Sequence, residues 1–146
     1  MELIIFIGLQ AAGKSSFYRE KFVDTHIRIN LDMLKTRHRE KILFDACLEA
    51  KQPVVIDNTN PRIEDRKRYI LPAKEKGFKI IGYYFKSILK ECQLRNSQRN
   101  KSIPLVGLFA TAKKLHLPSY REGFNKLHYV SINSNRTFIV KQWNAV

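Results

Sequence analysis

Short apolar runs alternate along this chain with longer segments whose apolar positions recur at helical spacing. The runs at 3–7, 27–30, 54–57, 79–85 and 127–132 are short and nearly continuous, which reads as buried strands. Between them, 14–22, 32–50, 62–76, 87–98 and 104–115 carry the polar-periodic pattern of helices. This alternation predicts an α/β fold: one domain over residues 1–146, with a central parallel five-stranded sheet flanked by helices. In the second helix, Ile42, Leu43, Ala46, Cys47 and Ala50 form the expected core stripe. The preceding Lys35-Thr36-Arg37-His38-Arg39 is too basic to face a core. The stretch 137–143 reads as an extra edge strand or a packing tail, with no role assigned. No linker, repeat or low-complexity tract interrupts the pattern.

The first strand runs straight into Gly8-Leu9-Gln10-Ala11-Ala12-Gly13-Lys14-Ser15. A buried strand, a glycine-punctuated turn and a helix start together present free backbone N–H groups to an anion. Gly8 and Gly13 let the backbone wrap a β-phosphate without a Cβ clash. Lys14 reaches the β/γ oxygens, and Ser15 offers its hydroxyl to Mg²⁺. The amphipathic Phe17, Tyr18 and Phe22 that follow argue against a chance glycine turn. The chain is therefore expected to bind a nucleoside triphosphate through Gly8, Gln10, Ala11, Ala12, Gly13, Lys14, Ser15 and Ser16.

Ligands of open α/β sheets sit at the carboxyl ends of the strands, so the residues after each strand are the next candidates. Asp32, entering the second helix, reads either as a helix cap or first-turn acid, or as a general base facing a γ-phosphate. Asp57-Asn58-Thr59-Asn60-Pro61 is either a turn-and-cap cluster or an acceptor site, with Asp57 placed to hold a Mg²⁺-bound water. Arg95 and Arg99, four residues apart, share one helix face before Pro104. They read either as surface charge or as a lid that brings arginines over a transferring phosphoryl group.

Composition adds partner and compartment. With 146 residues and 44% hydrophobic content the chain can bury a substantial core. No apolar stretch is long enough to span a membrane, the first residues read as strand rather than signal peptide, and a membrane partner is not expected. Cys47 and Cys92 lack metal-ligand spacing and suit a reducing, cytoplasmic compartment. The four histidines (His26, His38, His116 and His128) show no ligand spacing either. Lys and Arg total 27 against 13 acidic residues, a net +14. That charge suits a polyanion such as nucleic acid, although a solvated basic surface would produce it too.

Taken together, Gly8–Ser15, Asn30-x-Asp32, the run from Val54 to Pro61, Arg95-Asn96-x-x-Arg99 with Pro104, and Glu122-Gly123-Phe124 resemble the polynucleotide 5′-kinase family. The likeness is greatest to the kinase module of bifunctional polynucleotide phosphatase/kinases and covers nearly the whole chain. The resemblance implies ATP and Mg²⁺ as cofactors, with Lys14 and Ser15 on phosphate and metal. It implies Asp32 as general base, Arg99 as lid arginine, Arg95 near the ATP phosphates, and Asn58 and Thr59 near the acceptor end. The partner implied is a DNA or RNA strand with a 5′-hydroxyl end, with a separate ligase or phosphatase left open.

Two positions depart from the family pattern. Leu31 stands where the family often has Arg, and Lys35 stands where some members carry an acceptor-phosphate Arg. Lysine lacks the bidentate fork, so acceptor grip would be either weaker or borrowed from Arg37 or Arg39. No D-x-D-x-T phosphatase signature is present, and 3′-phosphatase activity is not expected. A small-molecule or nucleoside kinase of the same fold, or a non-catalytic nucleotide-gated nucleic-acid binder, remain the alternatives.

Overall fold

The computed structural model describes residues 1–99 and 102–144. β1 (Glu2–Ile7), β2 (Ile27–Ile29), β3 (Val54–Ile56), β4 (Lys79–Phe85), β5 (Lys126–Ile132) and β6 (Phe138–Gln142) form one sheet in the order β2-β3-β1-β4-β5-β6. The expected five strands are parallel. A sixth, β6, pairs antiparallel with β5 and closes that edge. Leu3 to Ile7 are fully buried because β1 sits at the sheet centre with helices on both faces, hence its uninterrupted apolar run.

The alternation of the strand sorts the two layers. Leu3, Ile5 and Ile7 face α3 (Arg37–Glu49) and α4 (Ile63–Glu75), while Ile4 and Phe6 face α1 (Lys14–Lys21), α5 (Leu89–Ser97) and α6 (Leu105–Lys114). Fully buried Arg66 on α4 pairs with Glu122 at 2.9 Å and donates to the His116 carbonyl at 3.0 Å. This pairing fastens the segment that leads into β5, and it gives Glu122 a structural duty.

Two expectations need correction. The helix expected over 32–50 is two helices, a single turn α2 (Leu31–Leu34) and α3, broken at Lys35, whose φ is +76°. The break is stabilised locally. Asn30 caps α2 by accepting the Met33 N–H at 2.9 Å, and Thr36 caps α3 by accepting the Arg39 N–H at 3.1 Å. The core stripe of α3 is also rotated from the one expected. Phe44, Cys47 and Leu48 are buried, with Leu43 alongside, while Ile42, Ala46 and Ala50 are exposed. Burying Phe44 and Leu48 removes more apolar surface from water than burying two alanines does.

Candidate active site

At the carboxyl ends of the strands lies a cleft of about 1040 Å³. Its floor is the glycine loop. Gly8 donates its N–H to the Thr59 carbonyl at 3.0 Å, and Leu9 donates to Ser87 Oγ at 3.0 Å. The Asn60 amide donates to the Phe6 carbonyl at 2.8 Å. A Cβ at Gly8 would stand 3.0 Å from Phe85 Cβ, so only glycine lets the loop approach β4. Gly13, at φ +99°, opens α1 without any side-chain cap, which leaves first-turn N–H groups directed to the cleft. Ile132 and Phe138 close over Gly13, and Phe138 packs edge-on against Phe17 with centroids 5.1 Å apart. The 137–143 stretch therefore acquires a role in roofing the loop, while Trp143 packs into the core against Tyr84.

Gln10, Ala11, Gly13, Lys14, Ser15 and Ser16 line the cleft, whereas Gly8 and Ala12 are buried under the loop they shape. The Lys14 ammonium donates to the carbonyls of Gly8 and Leu9. Burial pulls it down to about 8, against the opposing attraction of Asp57. Ser15 Oγ donates to Asp57 Oδ2 at 2.9 Å, so the two expected metal residues do meet. A hydroxyl and a carboxylate are hard oxygen donors of the kind Mg²⁺ takes together with substrate phosphates, and the pair fits that ion. Arg28 stands on the same two atoms. Its Nε donates to Asp57 Oδ2 at 2.8 Å and its Nη2 to Ser15 Oγ at 2.9 Å.

Across the cleft, Asp32 lies on the exposed first turn of α2. Because Asn30 caps that turn, the capping reading of Asp32 falls away, although it keeps its place as a first-turn acid. No hydrogen bond to the Asp32 carboxylate occurs among the described residues. Asn58 also lines the cleft, but its side chain is occupied. Its Oδ1 accepts the Leu31 N–H, and its amide donates to Glu40 Oε2 at 3.0 Å and to the Tyr69 hydroxyl at 3.3 Å. The Tyr69 hydroxyl in turn donates to Glu40 Oε1 at 2.9 Å, and burial, then the adjacent Glu40, push the phenol up to about 12. Arg37 Nη1 donates to the same Glu40 oxygen at 2.8 Å, and Arg37 lines the cleft. Lys35 and Arg39 do not join the lining. Lys35 forms the exposed break between helices, and Arg39 Nη1 donates to the Leu34 carbonyl at 3.2 Å.

The third wall is α5 with the segment into α6. Arg95 donates to the Ala11 carbonyl at 3.3 Å, and Gln10 donates to Thr111 Oγ1 on α6 at 2.9 Å. Arg99 lies just past the end of α5 and faces the cleft with Arg95. Nine lining side chains are basic, against three acids, Asp32, Asp57 and Asp65. Arg28, Arg62 and Arg136 are among those that sequence reasoning missed. Arg28 hid inside a strand pattern, and Arg136 arrives on the β5–β6 turn, to which the sequence assigned nothing. Among the described residues no cluster of three His, Cys, Asp or Glu side chains forms, and no helix is long and apolar enough to cross a membrane.

A family model described as an AAA domain matches residues 3–105. The chain belongs to the AAA domain family. This AAA domain is 29% identical over 135 residues to the bifunctional polynucleotide phosphatase/kinase of Schizosaccharomyces pombe, covering 88% of the chain and 33% of that protein. It is 27% identical over 147 residues to a putative bifunctional polynucleotide phosphatase/kinase of Acanthamoeba polyphaga mimivirus, covering 94% of the chain and 35% of that protein. The chain thus spans about a third of the length of the curated relatives it matches. The family resemblance read from the motifs is borne out, and the AAA domain is of the P-loop kinase kind. A crystal structure of a gluconokinase from Sinorhizobium meliloti 1021 superposes with a TM-score of 0.62 at 16% identity, covering 89% of the chain and 82% of that protein. That likeness concerns the fold alone.

Proposed function

We propose that this chain transfers the γ-phosphate of ATP to the 5′-hydroxyl end of a polynucleotide, DNA or RNA. The observation that carries this reading is the pairing of walls. A free carboxylate, Asp32, faces the glycine loop across a cleft whose lining is overwhelmingly basic. Phosphoryl transfer needs little covalent help from protein and depends on positioning and on charge complementary to the transition state.

The first-turn N–H groups of α1 seat the phosphates, and Lys14 exchanges its carbonyl partners for the β/γ oxygens. Asp32 accepts the proton of the 5′-hydroxyl as that oxygen bonds to the γ-phosphorus. The bond between the γ-phosphorus and the β–γ bridging oxygen breaks, and ADP leaves. Arg99 and Arg95 stabilise charge on the transferring group from the third wall. Ser15 and Asp57 would hold Mg²⁺, which neutralises developing phosphate charge when bound. Arg37, fixed by Glu40, offers its remaining donors to the acceptor strand, and this replaces the expectation of Lys35. The basic rim favours a polyanionic acceptor over a sugar or nucleoside, which has no need of it.

The test is γ-phosphate transfer to a 5′-hydroxyl oligonucleotide beside a panel of nucleosides and small hydroxylated acceptors. Label on the oligonucleotide end supports the reading. Label confined to small acceptors identifies a small-molecule kinase, and ATP-stimulated oligonucleotide binding without transfer identifies a nucleotide-gated binder.

A further inference from the structure

Arg28 forms a closed triangle with the two residues fitted for the metal. Its Nε and Nη2 donate to Asp57 Oδ2 at 2.8 Å and to Ser15 Oγ at 2.9 Å, and Ser15 donates to the same Asp57 oxygen at 2.9 Å. The serine hydroxyl thereby spends its proton and one lone pair, and one oxygen of Asp57 accepts two donors. The Asp57 side chain is 2% exposed and that of Arg28 26%, so the pair is poorly screened by water. A positive charge built into β2 thus occupies the ground that a divalent cation would take.

We propose that Arg28 is a resident counterion of the Ser15–Asp57 pair, which a divalent metal must displace in order to bind. A guanidinium and a dication cannot share Asp57 Oδ2 and Ser15 Oγ without close like-charge contact. The side chain has somewhere to go. It lines the open cleft, and its guanidinium carbon already lies 6.0 Å from the centre of the Tyr18 ring, whose face can accept a cation. The consequence is a nucleotide site that is neutralised internally without metal and needs more Mg²⁺ than the bare donor pair would. The proposal rests on the nucleotide-and-metal half of the proposed function and is independent of the acceptor.

The experiment measures ADP affinity by calorimetry across a range of Mg²⁺ concentrations for the wild type, Arg28→Gln, Arg28→Lys and the charge control Arg19→Ala. Arg19 lines the same cleft without touching Ser15 or Asp57. The Mg²⁺ midpoint for enhanced ADP binding should fall at least about fivefold in Arg28→Gln, the lower end of usual coupling between sites. Arg28→Lys should fall in between, since an ammonium pairs with Asp57 but cannot bridge both oxygens. An unchanged or raised midpoint in Arg28→Gln overturns the proposal, as does an equal shift in Arg19→Ala. Should Arg28→Gln fail to fold because Asp57 is left uncompensated, the Arg28→Lys midpoint decides alone, and its identity with the wild type overturns the proposal. Wild-type ADP binding that is indifferent to Mg²⁺ would instead remove the metal assignment of Ser15 and Asp57, and this proposal with it.

Discussion

The side-chain carbonyl of Asn58 accepts the backbone N–H of Leu31 at 2.8 Å. This bond joins the loop after β3 to the single turn that carries Asp32. Its amide is held by Glu40 and Tyr69, so the side chain that sequence assigns to the acceptor end is occupied in bracing the turn that carries Asp32. Asn58→Ala should lower kcat by about 10- to 100-fold, the cost of a catalytic group displaced by roughly 1 Å. ATP affinity should stay close to wild type, and stability should fall by about 1–3 kcal/mol for the unpaired Leu31 donor. A raised KM for the oligonucleotide with kcat intact would show direct acceptor contact instead.

Lys14 gives the site a pH dependence with a defined sign. Burial lowers it from 10.5 to about 8, and bound phosphates favour its charged form, so above this value ATP binding must take up a proton. ATP affinity should therefore weaken as pH rises past about 8, by up to about tenfold per pH unit. The nucleotide-free protein should behave oppositely. From about 8 to 10.5 the unfolded chain holds more protons at this lysine, so Lys14 makes stability rise with pH in that window. Lys14→Met should abolish both trends and lower transfer by several orders of magnitude. Nucleotide titrations and melting curves over that range check the pair, and near-native turnover in Lys14→Met would contradict the phosphate-loop account.

Asp32→Asn separates base from scaffold. Since Asn30 rather than Asp32 caps α2, folding should survive and melting temperature should barely move. Turnover should drop by about 10² to 10⁴, with ATP affinity preserved. Persistent activity together with a lowered melting temperature would assign Asp32 a structural role.

Much of this could be read directly from the sequence, for reasons that differ by residue. The run from Ile4 to Ser15 announces strand, loop and helix because each step has a local physical cause: burial, glycine conformation and an uncapped helix start. The break at Lys35 left no such mark, because a lysine at positive φ is held there by caps at Thr36 and Asn30 that look ordinary in a polar stretch. Asn58 lines the cleft, but its partners Glu40 and Tyr69 lie 18 and 11 residues away, beyond any local pattern. Arg28 reads as one charged position in an edge strand, and only the sheet order sets it against Ser15 and Asp57.

Arg99→Ala should reduce turnover by about 10³ or more if the guanidinium meets the transferring phosphoryl group. Lys113 is exposed on α6 and lies outside the cleft lining, so Lys113→Ala controls for loss of charge and should change the rate hardly at all. Equal, small effects in both variants would discard the third wall as a lid.

The dependence of kcat/KM on acceptor length and salt tests the polynucleotide claim most directly. Efficiency should climb steeply from a 3′-mononucleotide to a short 5′-hydroxyl oligonucleotide and level off once the basic cleft and its rim are filled. For the oligonucleotide it should fall with added salt at a log–log slope of about −0.7 per phosphate contact, while ATP affinity responds far less. An efficiency that is flat in both length and salt would contradict polynucleotide binding and leave a small-molecule kinase as the account of this site.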